Sequence, residues 1–214
     1  MSRPRNLKKM EEVELVIARL FASRGYHSTS MRDIARELGM NQSSLYYYVD
    51  SKEDILFKIM NDAMDKALGT LEKICISKIP PERKLKEVLG FYTRYYAGDQ
   101  ERETLLVNEI KSLGEDYRSV LIEKQRRYVH LIRSILEDLA KTGRMKQIHP
   151  TVATFAFFGM VHYTIKWYRR DGSIGIDGLA ESFVEIFTGG ILAEDSLKSK
   201  KGPGKKNRKE KPDD

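Results

Sequence analysis

The sequence predicts an all-α protein: an N-terminal three-helix unit with a helix-turn-helix, a long connector helix, and a larger helical unit behind it. Three observations carry this. Apolar residues recur at i, i+3, i+4 and i+7 in stretch after stretch, and no strand-like alternation of comparable length occurs. The segment 30–49 interrupts that rhythm once, at Gly39, as two short helices joined by a tight turn require. Finally, Ile55, Ile59, Ala63, Ala67, Leu71 and Ile74 form a ladder with no proline in it. A helix of that length exceeds what a three-helix unit needs, so it reads as a connector between two domains.

The elements follow in order. A first helix runs from about Leu7 to Arg24, with Val13, Val16, Ile17, Leu20 and Phe21 as its buried stripe, and Gly25 ends it. Ser30 followed by Asp33 resembles a capping box, and Met31, Ile34, Ala35 and Leu38 give the next helix one apolar face. Gly39 sits where the chain must take a left-handed conformation. Asn41 then caps a short second helix that Leu45 and Val49 pin inward. Ser51 caps the connector, and Glu53 and Asp54 favour its positive end. Pro80-Pro81 closes it near Ser77. Further helical patterns cover about 82–97, 100–112, 115–142, 150–170 and 177–193, separated by Asp99, Gly114, Thr142-Gly143 and Asp171-Gly172-Ser173.

Bulk properties narrow the class. The chain of 214 residues is 41% hydrophobic and 32% charged, which suits a globular protein with a sizeable core. No signal peptide is evident, and the longest apolar run, Phe155 to Val161, is far too short for a membrane span. One cysteine, Cys75, fits a reducing cytoplasm. The formal charge of +7 sits at the two ends. Residues 198–214 hold eight Lys/Arg against three Asp/Glu, and residues 1–52 hold nine against six. A polyanionic partner fits that distribution, as does an ordinary solvated tail. From Ser196 onward no core residue appears after Leu197, so 196–214 is expected to be a disordered basic tail.

With Leu45 facing inward, the helical step turns Ser43 and Tyr47 outward and sets Ser44 and Tyr46 on the flanks. Such a polar and aromatic face suits base edges and phosphates. An ordinary helical hairpin explains the same twenty residues. Several spaced features decide between them: Gly25-Tyr26, Ile34-Ala35, Leu38-Gly39, Leu45-Tyr46 and Ser51-Lys52-Glu53. Over about residues 7–67 they resemble the N-terminal domain of the TetR family of bacterial transcriptional regulators. That resemblance implies a three-helix DNA-binding domain at 7–67, with its helix-turn-helix at about 30–49. It implies an effector-binding and dimerisation domain at 80–195. By position, Gln42, Ser43 and Tyr47 correspond to base-contacting residues and Arg32 to a guanine contact. Ser30, Ser44, Tyr46 and Lys52 match phosphate-holding positions. The chain departs from the family at Ser43, where Gly is frequent, at Tyr47 or Tyr48, where His is, and at Val49, where Phe is. These departures leave the operator sequence open.

The second unit shows no catalytic constellation. His27, His130, His149 and His162 have no metal-ligand spacing, and no nucleophile elbow, P-loop or dinucleotide fingerprint is present. No enzyme activity, cofactor or metal is expected. The unit is instead rich in aromatics. Phe91, Tyr95, Phe155, Phe158, His162 and Trp167 are candidates for lining an apolar effector cavity of the kind the resemblance implies, although each also suits a plain core. The 157–172 segment, Phe-Phe-Gly-Met through Trp-Tyr-Arg-Arg-Asp-Gly, is similar to the TetR subgroup that responds to acyl-CoA thioesters. Arg126, Arg127 or Arg133 are candidates for the CoA phosphates. The last two helices either complete a monomer core or form a four-helix homodimer interface. The expected function is a ligand-responsive repressor released from a palindromic double-stranded DNA operator by a small apolar effector. A transcriptional activator of the same fold, or a helical enzyme or scaffold with a basic tail, are the competing readings.

Overall fold

The computed structural model describes residues 3–47 and 49–193, and the side chains from residue 12 onward. Tyr48, the 196–214 tail and the side chains of Arg3 and Arg5 lie outside the described residues. Among the described residues ten α-helices follow in order: α1 Arg3–Arg24, α2 Met31–Glu37, α3 Gln42–Tyr46, α4 Lys52–Ile76, α5 Pro81–Gly98, α6 Gln100–Asn108, α7 Glu115–Lys141, α8 Pro150–His162, α9 Thr164–Trp167 and α10 Ile176–Ile191. No helix among the described residues is long and apolar enough to cross a membrane.

Local chemistry fixes the helix ends. Ser30 Oγ accepts from the Asp33 amide, while Asp33 Oδ2 accepts from the Ser30 amide at 3.0 Å, a complete capping box. Asn41 accepts from the Ser44 amide at 2.7 Å, and Ser51 from the Asp54 amide at 3.0 Å. Gly39 takes φ +65°, and the Met40 amide reaches back to the Ala35 carbonyl at 2.9 Å, closing α2 with a left-handed turn.

Two expected helices are each divided. The 100–112 pattern ends as α6 at Asn108 and continues as a 3-10 turn over Ile110–Ser112. Ser112 Oγ donates to Glu109 Oε2 at the junction, where Glu109 has left helical backbone angles. The 150–170 pattern breaks after His162, where Thr164 Oγ1 donates to the Val161 carbonyl at 2.6 Å and competes with the helix's own bonding.

One core runs through the molecule, from Ile17 and Phe21 in α1 to Phe187 and Ile191 in α10. In the N-terminal unit Phe21, Tyr26, Ile34, Leu45 and Val49 pack together, with the Phe21 and Tyr26 rings edge to face at 5.2 Å. α4 packs against α1 at one end and against α5 and α7 along its length. Glu14, nearly fully buried on α1, receives Lys58 Nζ of α4 at 2.5 Å, so an ion pair joins the first helix to the connector. α6 lies between α1, α4 and α5, and α10 covers α5.

Gly39 tests the turn. A Cβ there meets nothing within 4 Å, so the cost of substitution is backbone alone. Gly39→Ala should destabilise the protein by about 1 kcal/mol, the penalty for a side chain in left-handed backbone. Urea unfolding reads it, and an unchanged midpoint would mean the turn relaxes.

Candidate nucleic-acid interface and effector site

α2, the Gly39 turn and α3 present a compact outer face. Ser30, Arg32, Gln42 and Ser43 are exposed, Ser44 is half-buried, and Tyr46 and Tyr47 are 48% and 86% exposed. Leu45, buried beneath them, anchors the helix to Ile34, Ala35 and Val49. An exposed tyrosine and two exposed polar residues on a five-residue helix are held in place by one leucine and the Asn41 cap. Arg32 points to solvent, whereas Arg36 is drawn to Asp33 at 2.6 Å. Lys52, expected at a phosphate, also has internal partners. Its ammonium donates to the carbonyls of Tyr26 and Thr29, both at 3.0 Å, and lies 4.4 Å from the Tyr26 ring centre. Loop carbonyls at the end of α1 compete with any phosphate for that charge.

Contacts behind this face tie it to the rest of the chain. Gly114 at the start of α7 donates its amide to Glu53 Oε1 at 2.5 Å, and the Phe57 and Tyr117 rings stack at 4.2 Å. His27 Nε2 lies 3.0 Å from Ser112 Oγ. Glu101 of α6 pairs with Arg19 of α1 at 3.7 Å and also with Arg170.

The candidate effector residues divide. Tyr92, Tyr96, Phe157, Phe158 and His162 form one aromatic cluster, with Tyr92 and Tyr96 centroids 4.3 Å apart and Phe158 and His162 5.6 Å apart. Tyr95 borders it through Tyr96, and Phe91 follows Tyr95 at 5.6 Å. Tyr95 Oη donates to the Ala63 carbonyl of α4. Phe155 touches the rim of the cluster through Phe158 at 6.4 Å, whereas Trp167 packs beside Tyr168 and Phe183. Phe155 and Trp167 are 56% and 45% exposed. The reason is periodicity: α8 buries Ala153, Thr154, Phe157, Phe158 and Val161, so Val152, Phe155, Ala156, Gly159 and Tyr163 share the outer face. Phe155 instead borders a groove of about 580 Å³ lined by Ile122, Val129, Arg126 and Arg133 of α7. Arg127 pairs with Glu72.

Sequence reasoning missed the polar heart of the cluster. Tyr92 Oη lies 2.9 Å from His162 Nε2, and Glu103 Oε1 of α6 lies 3.6 Å from the same nitrogen. Tyr96 Oη donates to Tyr128 Oη, which donates to the Met64 carbonyl at 2.6 Å. Burial holds the His162 imidazole down at about 4, and burial with the nearby Asp99 charge pushes the Glu103 carboxyl up to about 8. Both groups are therefore neutral near pH 7. Glu103 carried a sequence signal, an acid in helical register with Leu106 and Ile110 of the 100–112 pattern, but that pattern also describes an ordinary amphipathic edge.

The family model described as "Bacterial regulatory proteins, tetR family" matches residues 16–59. The model described as "Tetracyclin repressor-like, C-terminal domain" matches residues 78–191, just over half of the chain. The chain belongs to the TetR family. It is a DNA-binding transcriptional regulator, and α2–turn–α3 is its helix-turn-helix. Among relatives, the transcriptional repressor KstR2 of Rhodococcus jostii is 28% identical over 182 residues, covering 83% of this chain and 88% of that one. The fatty acid metabolism regulator protein of Bacillus subtilis is 24% identical, covering 86% and 95%. A TetR-family regulator from Bordetella parapertussis superposes with TM-score 0.75 at 32% identity, covering 83% and 92%. AibR, solved with isovaleryl coenzyme A and operator DNA, superposes with TM-score 0.74 at 26% identity, covering 82% and 96%.

The Lys52 geometry of this TetR-family head gives a prediction. Lys52→Met removes two hydrogen bonds from a charged donor and should cost about 1–3 kcal/mol of stability. The slope of operator affinity against salt should stay unchanged. Thermal unfolding with a salt-titrated gel shift checks both, and a slope lower by about one would assign Lys52 to a phosphate.

Proposed function

We propose that the protein is a homodimeric, cytoplasmic repressor that holds a near-palindromic operator and releases it when a small apolar effector of the acyl-CoA class binds. The observation that carries the DNA-reading part is the α3 face, where Gln42, Ser43 and Tyr47 stand exposed over a buried Leu45. These three are assigned to base edges, with Arg32 to a guanine, and Ser30, Ser44 and Tyr46 to flanking phosphates. No lysine or arginine lies within α3, so attraction to DNA falls to Arg32, Arg36 and the basic ends of the chain. The 7–67 and 80–195 division, with 196–214 as a basic arm, is part of this reading.

Dimerisation is supported by what α8 and α10 leave uncovered. Val152, Phe155, Ala156, Gly159 and Tyr163 form the outer face of α8, and Gly178, Ser182, Ile186 and Gly189 that of α10. A Cβ on Gly159, Gly178 or Gly189 meets nothing within 4 Å in the protomer, so a second copy has room to approach closely. Two protomers would set their α3 helices in major grooves about 34 Å apart. The effector class is supported by AibR, solved with isovaleryl coenzyme A, and by the B. subtilis relative named as a fatty acid metabolism regulator. In this chain, an aromatic cluster suits an acyl chain, and the groove bearing Arg126 and Arg133 suits phosphates.

Tyr47→Ala should lose at least about tenfold in operator affinity while remaining a folded dimer, since a specific base contact is worth about 1–3 kcal/mol. Retained affinity in a gel shift overturns the assignment of α3. Ile186→Glu places a charge in the proposed interface and should yield monomers in sedimentation velocity, with specific operator binding lost. A dimer that survives this change would move the interface elsewhere.

A further inference from the structure

Glu103 presents an unusual problem for a core. Its side chain is 1% exposed, and its Oε1 has no hydrogen-bond partner among the described residues. His162 Nε2 stands 3.6 Å away and already takes the 2.9 Å contact with Tyr92 Oη. In either neutral tautomer the 2.9 Å contact with Tyr92 Oη engages Nε2, and Glu103 Oε1 at 3.6 Å lies beyond hydrogen-bond reach of it. Other charged groups around Glu103 are engaged. Asp99 on the same helix receives Arg102 at 2.5 Å, Glu14 of α1 receives Lys58 of α4, and Glu101 binds Arg19 and Arg170. From α5 and α7 the facing groups are the phenols of Tyr92, Tyr96 and Tyr128, and the Tyr96 and Tyr128 hydroxyls are spent in a chain ending at the Met64 carbonyl. A buried polar atom left in this state costs stability, and a guest that satisfies it recovers the loss.

The surroundings define the guest. His162 is 39% exposed, so the cluster runs from the surface at His162 to the interior at Glu103. Aromatic rings wall that path: Tyr92, Tyr96 and Phe158 all lie within 6.0 Å of the His162 ring. An apolar chain seated among these rings would meet the polar atoms of Tyr92, His162 and Glu103 at its inner end. We propose that Glu103 is a specificity-determining residue of the effector site and, as a neutral carboxylic acid, donates a hydrogen bond to a carbonyl oxygen carried on an apolar effector. This assignment rests on the acyl-thioester reading above and adds the group within the effector that is recognised. A carboxyl held protonated until about pH 8 can donate, whereas its ionised form would repel the carbonyl oxygen. Carbonyl recognition is therefore linked to that proton and fades as pH rises through this value.

The test uses the full-length protein and two probes: dodecanoyl-CoA, and S-dodecyl-CoA, a thioether of the same chain without the carbonyl. Both carry the same phosphates, so their titration cancels in the affinity ratio. Calorimetric titration of the wild type should show the thioester bound about tenfold or more tightly below pH 8, with that ratio shrinking by up to about tenfold per pH unit above it. Glu103→Gln keeps a donor and should keep the ratio without its pH dependence. Glu103→Leu should bind both probes alike and should melt at a higher temperature than the wild type without ligand, because the unpartnered carboxyl is gone. Equal affinities in the wild type, a ratio that is flat or rises with pH, or a preference surviving in Glu103→Leu each overturn the Glu103 assignment and leave the effector class standing. If neither probe binds the wild type, the effector class itself fails and this assignment falls with it.

Discussion

The structure depends on one shared core, because α4 belongs to two packing units at once. Ile55, Leu56 and Ile59 continue the packing of Phe21, Ile34 and Leu45, while Met64, Ala67 and Leu71 continue that of α5 and α7. A helix of 25 residues buried at both ends cannot flex independently of either. The Glu14–Lys58 pair and the Tyr95 and Tyr128 hydroxyls, bonded to the Ala63 and Met64 carbonyls, fix its position along the way. The aromatic cluster therefore bonds to the same helix whose other end carries the reading head.

α6 supplies a second route between the same two places. Its inward face offers Glu103 to the His162 cluster, and its outer side holds Glu101 against Arg19 of α1 and Arg170 after α9. Just beyond it, Ser112 meets His27, and Gly114 meets Glu53 at the first turn of α4. A guest at Glu103 thus acts within one helix of the head. Only a difference in affinity between two arrangements of these parts can move the equilibrium, and a buried carboxyl that is unpartnered without ligand is a source of that difference.

Much of the fold was legible because local signals agreed with tertiary demands. The Ser30–Asp33 box, Gly39, Asn41 and Ser51 each act as their residue types predict, and the Ile55–Ile74 ladder emerges as one helix. Where local and tertiary signals competed, periodicity misled. The 150–170 segment is apolar enough to read as one helix, but the Thr164 hydroxyl and a partnerless outer face divide it and turn Phe155 and Trp167 outward. The partners of Lys52 were not legible, because sequence cannot reveal that two loop carbonyls 23 and 26 residues earlier reach its ammonium. Glu103 was hidden for the opposite reason, since acids on amphipathic helices are usually solvated. Only the meeting of α5, α6 and α8 makes this one distinctive.

In the proposed repressor, occupancy of the aromatic cluster sets the spacing of the two reading heads. Pulsed electron spin resonance between labels on Ser28→Cys, in a Cys75→Ser background, measures that spacing across the dimer directly. One distance distribution is expected for the operator-bound dimer and a displaced distribution once saturating dodecanoyl-CoA is added. A distribution that stays fixed while the ligand is demonstrably bound would contradict that coupling.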